Sequence, residues 1–389
     1  MSDNLPDAGK TPGQELPDPY WLTLNTLPPV DMRHVLVLTD DTGILQHATC
    51  STPNPHHGYC TDDNARSLIA GCLYCALRLP GAHEADPAKV HHDVVVAMQR
   101  YLSFLIYAFN PETGRLRNFM NYDRSWAEQV GSEAAHARAI WGLGLAARRA
   151  PLNDMRELAD RIFRRALEAT RDFEHFHAWA YTLLGLDEYL TGDNADQADA
   201  RCIEIRAELA RRLLDTHKEN ASDDWPWWYN TLTWGNAKPP EALIRTGHAT
   251  GNEEMLDIGL RSLRWVLDAQ TGQDGQLRII GNRGWYPRDG QPALYDQQPL
   301  EAQGLVQATM AAYRATDDNT WIDEALRCLA WFYGRNDGGV AMYNPETGGC
   351  HDGLRAEGPD PNQGAESTLA CVLSVLELHA FNRHLSPRN

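Results

Sequence analysis

The chain has 389 residues, of which 43% are hydrophobic and 23% charged, a composition that supplies a substantial core and excludes a disordered protein. Its formal net charge is −18; without a cationic field to meet phosphates, nucleic acid is excluded as a partner and a small neutral or cationic ligand fits better. No apolar run approaches the ~20 residues of a membrane span, so no membrane partner is expected.

Residues 1–19 are rich in Pro, Asp and Gly and lack an apolar signal core. They read as a flexible tail, with residues 20–389 forming a single domain in the cytoplasm. Residues 28–39 read as a short helix with Pro28 or Pro29 in its first turn. Thereafter two kinds of helical segment alternate. Residues 64–79, 134–149, 177–190, 241–250, 301–315 and 366–382 are apolar on most sides and rich in Ala, Gly and Leu, the pattern of buried helices. Residues 88–108, 153–171, 197–216, 253–269 and 319–334 carry a single apolar stripe, the pattern of surface helices. Each stripe must rest on something, and the buried set offers that surface, so the helices form two concentric layers. With the 28–39 helix closing the ring, the expectation is an all-α (α/α)6 toroid of six helical hairpins. The eight cysteines are scattered, several on helix positions, so no disulfide framework is expected.

Connections from inner to outer helices are short (149–152, 250–252, 316–318), whereas those from outer to inner are long (40–61, 109–132, 217–240, 270–299, 335–364). Long loops in a compact domain carry function as a rule, and these all lie at the end where inner helices begin. Two of them open alike, Phe109-Asn-Pro-Glu-Thr-Gly114 and Tyr343-Asn-Pro-Glu-Thr-Gly348. That repeat reads as a turn stopping the outer helix rather than as chemistry.

Acidic residues mark nearly every inner-helix start: Asp62 and Asp63, Glu133, Glu241, Glu301 and Glu366. Each alone reads as a cap that offsets the helix dipole, worth ~0.3–1 kcal/mol. Around a closed ring, however, all of them point at one crater, where crowding and burial raise carboxyl pKa values toward what a general acid needs. Counting round the ring sets the second inner helix opposite the fifth. Glu133 then faces Glu301, the first choice of catalytic pair, with Asp63 and Glu366 in reserve. Asp62 and Asp63 face Glu241, and Glu366 faces the helix of His177. Two carboxylates flanking a glycosidic bond are the chemistry of glycoside hydrolysis.

The long loops hold half of the 12 tryptophans. Tyr59, Trp225, Trp227, Trp228, Trp234 and Trp285 are candidate platforms for the apolar C–H faces of a sugar, with packing under the loops as the plain alternative. Asp62, Glu241, Lys238, His136 and His177 complete the candidate substrate-binding set. No cofactor and no metal are expected, because phosphate-cradling and dinucleotide glycine motifs are missing and the acidic residues lack the His-rich local spacing of metal sites.

Twelve helices, one-sided long loops, carboxylates at inner-helix starts and Trp-rich loops together resemble the six-hairpin glycosidase superfamily across nearly residues 20–385. The segment Leu38-Thr-Asp-Asp-Thr-Gly-Ile-Leu-Gln-His47, followed by Gly58-Tyr-Cys-Thr-Asp-Asp-Asn-Ala-Arg66, is also similar to an uncharacterised bacterial group encoded beside or fused to glycosyltransferases. The superfamily resemblance implies a carbohydrate-active enzyme, with hydrolysis of a glycoside or short oligosaccharide as the common activity. It also implies alternatives. Sugar 2-epimerases of similar architecture use barrel histidines as acid and base, which here points to His136, His177 and His248. A non-catalytic glycan-binding partner of a glycosyltransferase is a second alternative. Zinc-containing double-toroid cyclases end a site on a Cys-His pair that Cys350-His351 with Cys60 would mimic, but their other Cys-rich motif is missing.

Overall fold

The computed structural model describes residues 22–77, 87–191 and 200–385; the tail expected over 1–19 and the first residues of the 197–216 helix lie outside them. Twelve α-helices follow one another along the described residues. The inner ones are α2 (Thr61–Leu77), α4 (Glu133–Arg149), α6 (Phe176–Leu190), α8 (Lys238–Thr250), α10 (Pro299–Thr316) and α12 (Ala365–Leu385). The outer ones are α1 (Arg33–Leu38), α3 (Pro87–Ala108), α5 (Asn153–Leu167), α7 (Ala200–Asn220), α9 (Glu253–Ala269) and α11 (Thr320–Ala330). Each inner helix packs on the next, α12 packs back on α2, and each outer helix lies against an inner neighbour. This is the all-α (α/α)6 toroid that the alternation of helix types implies.

Why the inner ring closes so tightly is visible in its small residues. A side chain at Gly142 would sit 2.9 Å from the Ala65 carbonyl of α2, and one at Gly185 of α6 2.8 Å from the Ile140 carbonyl of α4. Backbone packs on backbone at these crossings, so larger residues there would push the ring apart. The outer helices contribute one face each. In α5, Met155, Ala159, Ile162, Phe163 and Ala166 are buried while the charged residues between them face out.

Helix starts follow local chemistry. Ser132 caps α4 by accepting from the Ala135 N–H at 3.2 Å. Pro239 and Pro299 stand in the first turns of α8 and α10, where a missing N–H costs nothing. The 28–39 helix is shorter than its pattern, only Arg33–Leu38, because no side chain caps Met32 and Thr39 is already extended. Helices α5 and α11 each finish in a 3-10 turn, which accounts for their longer sequence pattern.

The long loops gather at one end, and they carry structure of their own. Two-residue antiparallel ladders tie neighbouring loops together: Tyr59–Cys60 with Phe119–Met120, and Thr231–Leu232 with Tyr286–Pro287. The repeated Asn-Pro-Glu-Thr-Gly segment is the same turn built twice. Asn110 and Asn344 each accept the N–H two residues on at 3.0 Å, and their carbonyls accept from Gly114 and Gly348 at 2.9 Å. Both glycines have positive φ, +69° and +78°, which favours glycine at that position.

Candidate active site

The first turns of the inner helices converge beneath the long loops and form a crater. Its centre is an ionic cluster. Asp62 Oδ1 lies 2.8 Å from Arg138 Nε and 3.4 Å from Arg66 Nε, and Arg66 Nη2 reaches Glu366 Oε2 at 2.7 Å. Both arginines are buried. The Arg138 guanidinium also stands over the Tyr181 ring, 4.3 Å from its centroid. Two cations thus answer three carboxylates, those of Asp62, Asp63 and Glu366.

Asp63 is 6% exposed and accepts from the Cys60 thiol at 3.1 Å. Burial pushes its carboxyl up to about 7; Arg66 works against that shift, and Asp62 and Glu366 add to it. Glu301 is 2% exposed. It accepts from the Gly235 N–H, and from the backbone N–H and side-chain amide of Asn236 at 3.2 Å each. Burial still holds it at about 7, with Glu366 adding a smaller push. A cavity of about 290 Å³ opens among these groups, lined by Asp62, Asp63, Glu366, Asp352, His47 and Phe119. Asp352 accepts from the Gly364 N–H at 2.7 Å and from the Ser367 hydroxyl. Beside the ionic cluster, the half-buried Trp234 stacks on His177 at 4.5 Å and parallel to Tyr181 at 6.4 Å.

The structure redistributes the candidates. Glu133 does not reach toward Glu301. Its Oε2 accepts the backbone N–H groups of Glu174 and His175, both at 3.1 Å, and so serves as a cap for the neighbouring helix α6. Glu301 has Glu366, on the adjacent helix, as its charged neighbour instead. Glu241 and Lys238 lie deeper in the barrel as a buried ion pair at 2.7 Å, with Lys238 also donating to Gln307 at 2.6 Å. Burial lowers the Lys238 pKa.

Trp225, Trp227 and Trp228 are corrected to packing residues: they are 3%, 0% and 1% exposed and offer no face to a ligand. Trp227 packs edge to face with Trp228, Trp225 with Trp265 and Trp228 with His217, because three large rings in a short loop bury more apolar area inside than outside. Tyr59 is likewise buried, its hydroxyl donating to Asp40 at 2.5 Å. Trp285 is half-buried in the loop next to the Tyr286–Pro287 strand.

The histidines separate by position. His136 accepts from the Leu116 N–H at 3.0 Å and bonds the Ala166 carbonyl at 3.0 Å; both ring nitrogens are committed, and burial drives its pKa down to about 3. His248 is exposed at the far end of α8, away from the crater. His177 belongs to the crater: it is 7% exposed, its Nε2 has no hydrogen-bond partner, and burial holds its pKa at about 3. Cys60 engages Asp63, whereas the His351 ring bonds the Asp360 carbonyl at 2.6 Å and Cys350 is buried. No group of three metal-ligating side chains forms among the described residues.

Sequence reasoning missed Arg66, Arg138, Tyr181 and Asp352. A signal existed for the arginines: Arg66 is the one Arg or Lys of an otherwise apolar helix, four residues past Asp62, and Arg138 stands among apolar residues five past Glu133, far from the Arg148–Arg149 end. A buried cation needs a partner, and the crowded carboxylates need compensation.

No protein-family model matches the chain, and no curated protein matches it. Among solved structures it is similar to cellobiose 2-epimerase from Bacillus thermoamylovorans B4167, at 12% identity with a TM-score of 0.67, covering 91% of this chain and 96% of that one. It is similar to a D-mannose isomerase, at 11% identity and a TM-score of 0.64, covering 90% and 96%. It also resembles an inactive variant of an α-1,6-mannanase of Salegentibacter sp. HEL1_6 in complex with α-1,6-mannotetrose, at 15% identity and a TM-score of 0.54, covering 90% and 96%. At these identities the likeness is one of fold alone, that of an all-α (α/α)6 toroid. No described helix is long and apolar enough to cross a membrane.

Proposed function

We propose that this protein is a carbohydrate-active enzyme that cleaves a glycoside in the crater by general acid–base catalysis, with Asp63 as proton donor and Glu366 as partner carboxylate. One observation carries the reading. Asp63, whose carboxyl burial raises to about 7, shares a single cavity with Glu366, whose carboxylate is ion-paired to Arg66. A group that holds a proton near neutrality beside an ionised one is the division of labour that glycoside cleavage requires. Asp63 protonates the leaving oxygen as the glycosidic bond breaks, and Glu366 takes the proton of the attacking water or meets the developing cation. Asp62 is fixed between Arg138 and Arg66 and positions Arg66 rather than reacting. Trp234, half-buried with its ring stacked on His177, is the aromatic candidate for sugar contact beside the cavity, and His47 lies on the cavity wall. The two solved structures of an epimerase and an isomerase favour a second reading, in which His177, kept neutral and without a partner at Nε2, takes a proton from a sugar carbon.

Incubation with a panel of β- and α-linked oligosaccharides in D2O, read by mass spectrometry, separates the readings. Shorter sugars mean hydrolysis. Sugars of unchanged length that gain one carbon-bound deuterium mean epimerisation or isomerisation and overturn the hydrolase. Binding with no change in any sugar means a glycan-binding module and overturns both.

A further inference from the structure

Cys60 immediately precedes α2, and its place is fixed from three sides. It pairs with Phe119 in the short ladder, its carbonyl accepts from the Asn64 side-chain amide at 2.8 Å, and the next N–H, that of Thr61, donates to the Asn118 carbonyl at 2.9 Å. The residue is 4% exposed and lines the crater cavity beside Asp63.

Both polar roles of the sulfur are taken by one residue. Sγ accepts from the Asp63 backbone N–H at 3.4 Å and donates to Asp63 Oδ2 at 3.1 Å. Burial, with Asp63 and Asp62 adding to it, pushes the thiol well above its ordinary value, so the sulfur keeps its proton through the neutral range and stays a donor. Asp63 Oδ1, by contrast, accepts nothing from the described residues and is not one of the solvent-sealed polar atoms, so it is the oxygen left open to the cavity that Asp63 lines.

We infer that Cys60 is a positioning residue for the general acid: its thiol occupies Asp63 Oδ2 and confines the transferable proton to Oδ1, the oxygen that faces the substrate. The inference rests on the reading of Asp63 as proton donor. A proton placed on Oδ2 would cost the buried thiol the one hydrogen bond it donates, whereas a proton on Oδ1 leaves that bond intact. A thiol is also a weak donor. It favours the ionised carboxylate only slightly, so burial prevails and the acid form survives near neutrality. Arg66 and Asp62 of α2 and Glu366 of α12 act on the same carboxyl, and His47 and Asp352 share its cavity. Arg138 of α4 and Glu301 of α10 act one step away, on Asp62 and Glu366. All of these stay in place when residue 60 alone is changed.

The test compares Cys60→Ser and Cys60→Ala with wild type in the full chain. NMR titration of carboxyl carbons in Asp-labelled protein, with the Asp63 signal assigned by its loss in Asp63→Asn, reads the proton directly. A hydroxyl donates more strongly than a thiol, so Cys60→Ser should lower the Asp63 titration by about one pH unit, while Cys60→Ala, with no donor, should raise it by about half a unit. A change that merely loosens the site has no reason to act with opposite signs. No shift, or two shifts of the same sign, overturns the inference whatever the rates do. The pH–rate profile, on the substrate that the oligosaccharide panel identifies, is the second readout. Its alkaline limb should follow both shifts, which at pH 8 means a roughly tenfold lower kcat for Cys60→Ser. Opposite shifts of the carboxyl with an unmoved alkaline limb would uphold the thiol's hold on Asp63 and overturn Asp63 as the proton donor.

Discussion

Arg66 and Glu366 form a 2.7 Å ion pair across the seam where the first and last inner helices meet. One side chain thereby closes the ring and sets the electrostatics of the crater, because the same guanidinium also stands 3.4 Å from Asp62 and counters the raised carboxyl of Asp63. Fold closure and site chemistry share a residue, so a change there must register in both.

Replacing Arg66 with Met should therefore cost on the order of 3–5 kcal/mol, the usual result of stranding buried charges. Urea unfolding at pH 8 measures it. The deficit should shrink at pH 5, where the stranded carboxylates relieve their repulsion by taking up protons. An equal loss at both pH values would mean that lost packing dominates.

Asp63 and Glu301 both have folded pKa values of about 7, against ~3.9 and ~4.3 in an unfolded chain. Below the lower values both states are protonated and neither group affects stability relative to its neutral form. Between ~4 and about 7 the folded state holds more protons, so the contribution of these groups is lost as pH rises. His136 and His177, whose folded pKa values are depressed to about 3, act in the opposite sense and lose stability as pH falls below ~6.5. The clean readout is a difference. The stability of Asp63→Asn relative to wild type should rise by on the order of 1–3 kcal/mol between pH 5 and pH 8. A flat difference across that range would remove Asp63 as a proton-holding group.

The layered fold was legible because helix burial is written in periodicity: apolar all round for α4 and α6, one stripe for α5 and α9. The end of the barrel where the long loops gather over the acidic helix starts was legible too, from loop lengths. Side-chain direction was not. Glu133 and Asp63 both stand in first turns, as the first residue of α4 and the third of α2, yet one leans sideways onto the N–H groups of Glu174 and His175 while the other points inward to Cys60. A shift of one residue rotates a helical side chain by ~100°, and helix order does not fix that rotation. The tryptophans misled for a related reason: a Trp-rich loop buries rings or displays them depending on which neighbours fold beneath it, here Phe176 and Trp265.

That distinction is testable. Trp227→Ala and Trp228→Ala should destabilise the protein by about 3–5 kcal/mol, as expected for emptying a packed aromatic site. Sugar affinity of whatever remains folded should be unchanged. Trp234→Ala should do the reverse, leaving the melting temperature within a few degrees and weakening sugar binding, read by calorimetry with the substrate that the oligosaccharide panel identifies. Weaker sugar binding by well-folded Trp227→Ala would restore that ring to the site.

The final prediction concerns the five acidic helix starts, because each now has a distinct physical assignment. Glu133→Gln removes the charge from a cap and should cost at most ~2 kcal/mol with the rate intact. Glu241→Gln leaves Lys238 without its charged partner inside the barrel and should lower the melting temperature more than any other of the set. Glu301→Gln disturbs the Gly235–Asn236 turn that it anchors, so KM should rise more than kcat falls. Asp63→Asn and Glu366→Gln keep shape and hydrogen bonding but remove the transferable proton or its acceptor, and they should lower kcat by roughly 10²–10⁴. The alkaline limb of the pH–rate profile should disappear in Asp63→Asn alone, since of the two carboxyls held at about 7, Asp63 and Glu301, only Asp63 donates the proton. Stopped-flow or discontinuous assays of the five variants on one substrate, with melting curves beside them, decide the matter. If Glu133→Gln and Glu301→Gln lose the rate while Asp63→Asn and Glu366→Gln keep it, the chemistry runs across the ring between the second and fifth inner helices, and the cavity around Asp63 is not where it happens.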